Sequence, residues 1–225
     1  MKLGDLKIYF RMLFRYRPKT FWNQLLSDSF DLRGVGHFRL SNTENLKMYE
    51  EKKKLISNEL KKCNIIINDT PNVLEIGCGV GYWTEYLKSL GVKKYTGNDI
   101  AEISVTKLKE IYPEYNFIQG DISELPLPAE NYDIVLMIDV TQHITDDSKF
   151  DHAMRNIWGS LRHNSYFIVT IWDPSKKVYL ANKLRINRIE KPRSIELYNK
   201  IFGSECEVLS YTDFNDKYLV IIKKK

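Results

Sequence analysis

Val73-Leu74-Glu75-Ile76-Gly77-Cys78-Gly79-Val80-Gly81-Tyr82 is the stretch whose reading decides the fold of this chain. An apolar, strand-forming run ends in glycines at alternate positions, and helix formers follow. Glycine at such a junction lets the backbone turn sharply and lets a bound molecule approach the main chain with no Cβ in between. The spacing also discriminates. A dinucleotide fingerprint has its third glycine one position later, where this chain has Tyr82, so a pyrophosphate ligand is the lesser alternative.

Working outward, short β-rich runs at 72–76, 94–98, 116–119, 132–138 and 166–172 alternate with helical stretches at 81–90, 101–111 and 147–161. That alternation predicts a parallel sheet with helical crossovers. The run Ile134-Val135-Leu136-Met137-Ile138 lacks apolar–polar alternation, as expected of a central strand covered on both faces. Residues 206–211 and 218–222, separated by the turn-rich 212–216, read as an antiparallel hairpin at one sheet edge. Residues 1–65 show no strand alternation and read as an N-terminal helical cap or lid before a domain at 66–225. Within it, 6–14 is basic and amphipathic, 32–37 is a loop with two glycines, and 42–60 is a helix capped by Ser41 or Asn42.

Chemistry-bearing residues fall after successive strands. Asp99 follows the second, 22 positions past Gly77, where a carboxylate can accept both hydroxyls of a ribose. Asp121, after Gly120, follows the third and could accept from the amino group of an adenine. Ile100 and Ile122 stand beside these carboxylates as apolar wall. Asp139 and His143 follow the fourth strand. Ligands of open α/β sheets bind beyond the carboxyl ends of the strands, so these positions converge on one crevice.

The run Glu75 to Gly81, with Asp99, Gly120-Asp121 and Tyr132-Asp133-Ile134-Val135, resembles the class I, Rossmann-like S-adenosylmethionine-dependent methyltransferases. The resemblance covers roughly residues 70 to 172 and implies a seven-stranded, mostly parallel sheet of order 3-2-1-4-5-7-6 with an antiparallel seventh strand. It also implies S-adenosyl-L-methionine as cofactor. Gly77, Cys78, Gly79, Gly81 and Tyr82 would pass its methionine and ribose, Asp99 would bind the ribose, and Asp121 would face the adenine. Glu75 is a ligand contact or, in the preferred reading, a structural partner of the loop. Cys78 packs as a small side chain. Tyr49 is expected to close over the methionine end, and Asp139 to border the cofactor.

Methyl transfer from a sulfonium is a direct displacement, and an oxygen acceptor often needs a base. His143 is the first candidate base; His37, in a mobile lid, is its rival. The function expected is O-methylation of a small-molecule, sugar or glycan, or lipid-linked acceptor. N-methylation of a small amine and a non-catalytic S-adenosylmethionine- or nucleotide-binding module stay open. Nucleic acid is disfavoured: the run after the fourth strand, Asp139-Val140-Thr141-Gln142, lacks the Pro-Pro motif of exocyclic-amine methylation and any cysteine nucleophile. The cations at 176–188 would suit an anionic acceptor, although solvated charge is the simpler account.

Composition sets the remaining bounds. The chain has 225 residues, 43% hydrophobic and 12% aromatic with 14 Tyr, enough for a core and a ring-lined cleft. Net charge is a mild +5, concentrated in the basic aromatic N-terminus around residues 9–17 and in Lys223, Lys224 and Lys225. That N-terminus is a packed helix, a lid, or a weak foot on an anionic membrane. Cys63, Cys78 and Cys206 have neither paired nor metal-ligand spacing, which suits a cytoplasmic protein without a zinc site. No apolar run reaches transmembrane length and no secretory signal is read. Oligomeric state leaves no trace in the sequence.

Overall fold

The computed structural model describes residues 16–37, 40–176, 189–214 and 216–225. The basic stretch at 6–14 and the cations of 177–188 lie outside the described residues. Three helices come first: α1 (Pro18–Asp28), a short α2 (Leu32–Val35) and the long α3 (Asn42–Lys62). The chain then alternates through β1 (Asn72–Ile76), α4 (Tyr82–Ser89), β2 (Lys94–Asp99), α5 (Glu102–Ile111), β3 (Asn116–Gln119) and β4 (Tyr132–Met137). It closes with α6 (Asp147–Ser160), β5 (Leu161–Ile171), α7 (Ile195–Phe202), β6 (Cys206–Phe214) and β7 (Lys217–Lys224).

The strands form one seven-stranded sheet of order β3-β2-β1-β4-β5-β7-β6, in which β7 runs antiparallel to β5 and β6. The order and hairpin match the expectation from sequence. β4 lies between β1 and β5, and Ile134, Val135, Leu136 and Met137 are all buried, so its unbroken apolar run is that of a doubly covered strand. One face packs Tyr49, Ile56 and Leu60 of α3 and Trp83 and Leu87 of α4 into a common cluster. The other carries Phe150, Met154 and Ile157 of α6 with Tyr198 and Phe202 of α7. α3 therefore contributes to the same core as the sheet.

α3 begins in a reciprocal capping box. The Ser41 hydroxyl accepts from Glu44 N–H at 3.2 Å while the Glu44 carboxylate accepts from Ser41 N–H at 2.7 Å. Local details depart from the sequence expectation. The glycine-containing loop at 32–37 is helical over Leu32–Val35, because Asp31 caps it by accepting from Arg33 N–H at 2.8 Å. α1 and α7 were not anticipated. β6 extends to Phe214, which pairs with Lys217, so the turn is tighter than the polar run 212–216 suggested.

Candidate active site

The loop after β1 is built on left-handed backbone. Gly77 has φ +76° and Gly79 φ +53°, a region that side chains with a Cβ rarely adopt. Space is short as well: an added Cβ would meet Val140 Cγ2 at 2.4 Å from Gly77, and Val35 Cγ1 at 2.9 Å from Gly79. Gly81 is the N-cap of α4 and faces Leu108, away from the cleft.

Above this loop, at the carboxyl ends of β1, β2, β3 and β4, lies a cleft of about 470 Å³. That size suits a small organic ligand. The cleft is lined by Gly77, Cys78, Gly79, Asp99, Ile100, Asp121 and Ile122, by Asp139 and His143, and by Tyr49, Tyr82 and Trp83. The sequence predicts a cap or lid within residues 1–65 but does not single out the residues that form it here. Pro18, Trp22 and Leu26 of α1, with Tyr16 just before it, line the same cleft. α1 is fastened there by the Asn23 side chain, which accepts from Ile103 N–H at 3.2 Å at the start of α5.

Asp99 is the organising carboxylate. One oxygen accepts from Gly79 N–H at 2.7 Å and the other from Ala101 N–H at 2.8 Å, so the side chain is fixed between the glycine loop and α5. Burial raises its pKa, and the backbone N–H donors oppose that rise. Asp121 accepts from Ser123 N–H and hydroxyl at 3.0 and 2.7 Å, and pairs with Lys149 at 2.8 Å. Burial pushes its carboxyl up, but these donors outweigh it and the net shift is downward. These two carboxylates, the glycine backbone and the apolar Ile100 and Ile122 fit an adenosine.

Asp139 adopts φ +60° and sits between two ammonium groups, Lys52 from α3 and, at 3.5 Å, Lys217 from β7. Burial raises the Asp139 pKa, but the lysines dominate and hold it well below the usual carboxylate range. It is thus a fixed anion, not a base. Lys52 also lies 5.1 Å from the centroid of the Tyr49 ring, and the Tyr49 hydroxyl donates to Val35 O at 3.3 Å.

His143 ends a single 3-10 turn, Thr141–His143. Its Nδ1 lies 3.1 Å from the carbonyl oxygen of Ile189. A carbonyl can only accept, so Nδ1 carries the proton and Nε2 keeps its lone pair. Gln142 Nε2 donates to that lone pair at 3.3 Å, and the Trp22 ring packs edge-on with centroids 4.9 Å apart. Burial lowers the His143 pKa, which keeps the ring neutral near pH 7.

Three sequence candidates are not brought to the cleft. Gly81 has been placed above. His37 is exposed and does not line the cavity; its backbone is held by the Asn45 amide, which accepts from His37 N–H at 2.7 Å. Glu75 lies beneath the loop, fully buried, accepting from the Tyr95 hydroxyl at 2.6 Å and from Thr84 at 3.0 Å. Its other oxygen, Oε1, has no partner.

Burial pushes the Glu75 pKa to about 7, against the pull of the Tyr95 and Thr84 hydroxyls. A carboxyl raised in the folded state stabilises fully below its unfolded value and loses that contribution as pH rises through the folded value. Wild-type stability is therefore expected to fall between about pH 4.5 and pH 7, and Glu75→Gln should flatten that slope. The variant should gain up to about 3 kcal/mol relative to wild type at pH 8, read from denaturant unfolding across pH.

Comparison with known proteins agrees with this geometry. Residues 74–169 match the family model described as a methyltransferase domain. A probable S-adenosylmethionine-dependent methyltransferase of Mycolicibacterium smegmatis is 30% identical over 99 residues, 44% of this chain and 37% of that protein. Residues 74–169 are thus similar to the methyltransferase domain of S-adenosylmethionine-dependent methyltransferases. A fatty-acid O-methyltransferase of the same organism is 33% identical to this chain over 101 residues, 44% of this chain and 36% of that one. The matches thus span little more than a third of those relatives' length. In fold, the chain is similar to the N-methyltransferase NodS of Bradyrhizobium japonicum, solved with S-adenosyl-L-homocysteine. That likeness has a TM-score of 0.61 at 16% identity and covers 79% of this chain and 87% of NodS. Among the described residues no helix is long and apolar enough to cross a membrane, and no group of three or more His, Cys, Asp and Glu could hold a metal ion.

Proposed function

We propose that the chain binds S-adenosyl-L-methionine in this cleft and methylates a hydroxyl oxygen of a lipid-linked or other small apolar acceptor, with His143 as base. The observation that carries the reading is the pairing, in one cleft, of the Asp99 clamp with a neutral imidazole whose Nε2 lone pair is defined by the Ile189 carbonyl. The bound sulfonium supplies the methyl group, and its sulfur keeps the C–S electron pair on leaving. The protein's part is alignment, exclusion of water and removal of one proton. Asp99 orients the donor's ribose. α1 covers the cleft with Trp22 and Leu26. The acceptor hydroxyl displaces the Gln142 contact at His143 Nε2, which then takes the hydroxyl proton as oxygen bonds to carbon.

The apolar roof over His143 supports an acceptor with an aliphatic or aromatic body more than a polyhydroxylated glycan, whose hydroxyls would lack partners there. The fatty-acid O-methyltransferase named above supports the apolar body of the acceptor, not its hydroxyl, since a fatty acid's carboxylate needs no base. The test is transfer of labelled methyl to a panel of lipid alcohols, hydroxylated aromatics, free sugars and small amines. Label is expected on oxygen in the apolar alcohols. Label confined to amines or sugars contradicts this acceptor class.

A further inference from the structure

The segment before α7 returns to the cleft and is firmly held there. Lys191 N–H donates to Gln142 O at 2.7 Å and Arg193 N–H to Trp172 O at 2.9 Å. The Lys191 ammonium and Arg193 guanidinium both bond Asp147, at 2.7 and 3.1 Å, and Arg193 lies 4.0 Å over the Phe150 ring. Between these anchors and the Ile189 carbonyl that binds His143 stands Glu190, whose Oε1 is 4.0 Å from His143 Nε2. Glu190 is about one-third exposed and His143 about one-fifth, so the carboxylate is the more solvent-accessible of the two.

We propose that Glu190 is the electrostatic partner of His143, stabilising the imidazolium formed when Nε2 accepts the acceptor's proton and relaying that proton outward. This rests on His143 acting as base. The proton balance is simple: the O–H bond breaks, its electron pair stays on oxygen to bond the methyl carbon, and a new N–H bond forms at Nε2. One positive charge therefore arrives on a buried ring, where it is costly unless paired. Glu190 supplies the counter-charge at an ion-pair distance of 4.0 Å and, being partly exposed, an exit for the proton.

Other groups around the ring do not serve this purpose. From α1, Trp22 presents a ring edge, and its Nε1–H donates to the Tyr16 hydroxyl at 3.2 Å. Gln142 offers Nε2–H, a donor that disfavours imidazolium. Lys217 of β7 also disfavours it, and Asp139, though anionic, is committed to Lys52 and Lys217. Glu190 is a positioning residue: it acts through His143 and needs no contact with the acceptor.

The test is NMR titration of the His143 ring in the cofactor-free protein, wild type against Glu190→Gln, with the signal assigned through His143→Gln. Removal of the carboxylate should lower the His143 pKa by about half a unit or more. In turnover assays the acid limb of kcat/KM should move to lower pH by the same amount, with a lower plateau because the base is weaker. An unchanged His143 pKa overturns the proposal, and so does a shifted pKa with an unmoved acid limb. Full turnover in His143→Gln overturns the base assignment itself, while the NMR shift still reports whether the two side chains are coupled.

Discussion

His143→Ala is expected to turn over between about a hundredfold and ten-thousandfold more slowly than wild type near neutral pH, with its affinity for S-adenosyl-L-homocysteine unchanged. The size follows from what a positioned base contributes when proton removal accompanies bond formation. The separation of the two readouts follows from geometry. The Asp99 clamp is built from Gly79 and Ala101 N–H and makes no contact with His143. A His143→Gln variant preserves much of the bulk against Trp22 and can still donate to the Ile189 carbonyl. It cannot accept a proton at Nε2 and should fall with the alanine variant. Rate and affinity lost together would mean that the ring holds the cleft open and performs no proton transfer.

Lys52→Met should destabilise the fold by about 3 kcal/mol, the low end for breaking a buried ion pair, because Lys217 stays beside Asp139. Methionine fills the volume of the lysine stem, so the loss reports the stranded anion and not a cavity. Asp139→Asn in the same background should restore a substantial part of it, and denaturant unfolding of the four proteins gives the coupling directly. The pH dependence has a definite sign. Asp139 has a depressed folded-state pKa, so its contribution is present above the unfolded carboxylate value of about 3.8 and is lost as pH falls below it. Wild type should therefore lose more stability than Lys52→Met on acidification through that range. Equal stability of Lys52→Met and wild type at neutral pH would mean that the pair is worth no more than its desolvation costs.

The sheet was legible because its signals are local and mutually consistent. The glycine run after residue 76 marked the β1–α4 turn, and the unbroken apolar run in β4 marked a central strand. Asp99, singled out as a carboxylate at a strand end, does line the cleft, where it also ties the glycine loop to the start of α5. The residues of the roof were not legible. Trp22 and Leu26 occupy it through contacts made across the fold, and nothing in the short α1 sequence says which surface it covers. His37 attracted attention as a histidine in a glycine-containing loop, but Asn45 fixes that backbone and leaves the ring exposed outside the cavity. Lys52 left a trace that could have been found. Tyr49, Ile56 and Leu60 mark the buried stripe of α3, and Lys52 sits on that stripe at the same helical spacing. A lysine on an apolar stripe asks for a buried anion, and Asp139 answers it 87 positions away. Glu190 had no such trace, because its meaning comes entirely from the docking of the segment beside α7.

The most direct test of the central claim is calorimetric titration of the full chain with S-adenosyl-L-homocysteine and, separately, with NAD. Saturable one-to-one binding of the first with no heat from the second is the predicted result. It follows from a glycine loop with Tyr82 at the dinucleotide glycine position and a diol-binding carboxylate at Asp99. Binding of NAD alone, or of neither ligand, would contradict the donor site from which the whole account is built.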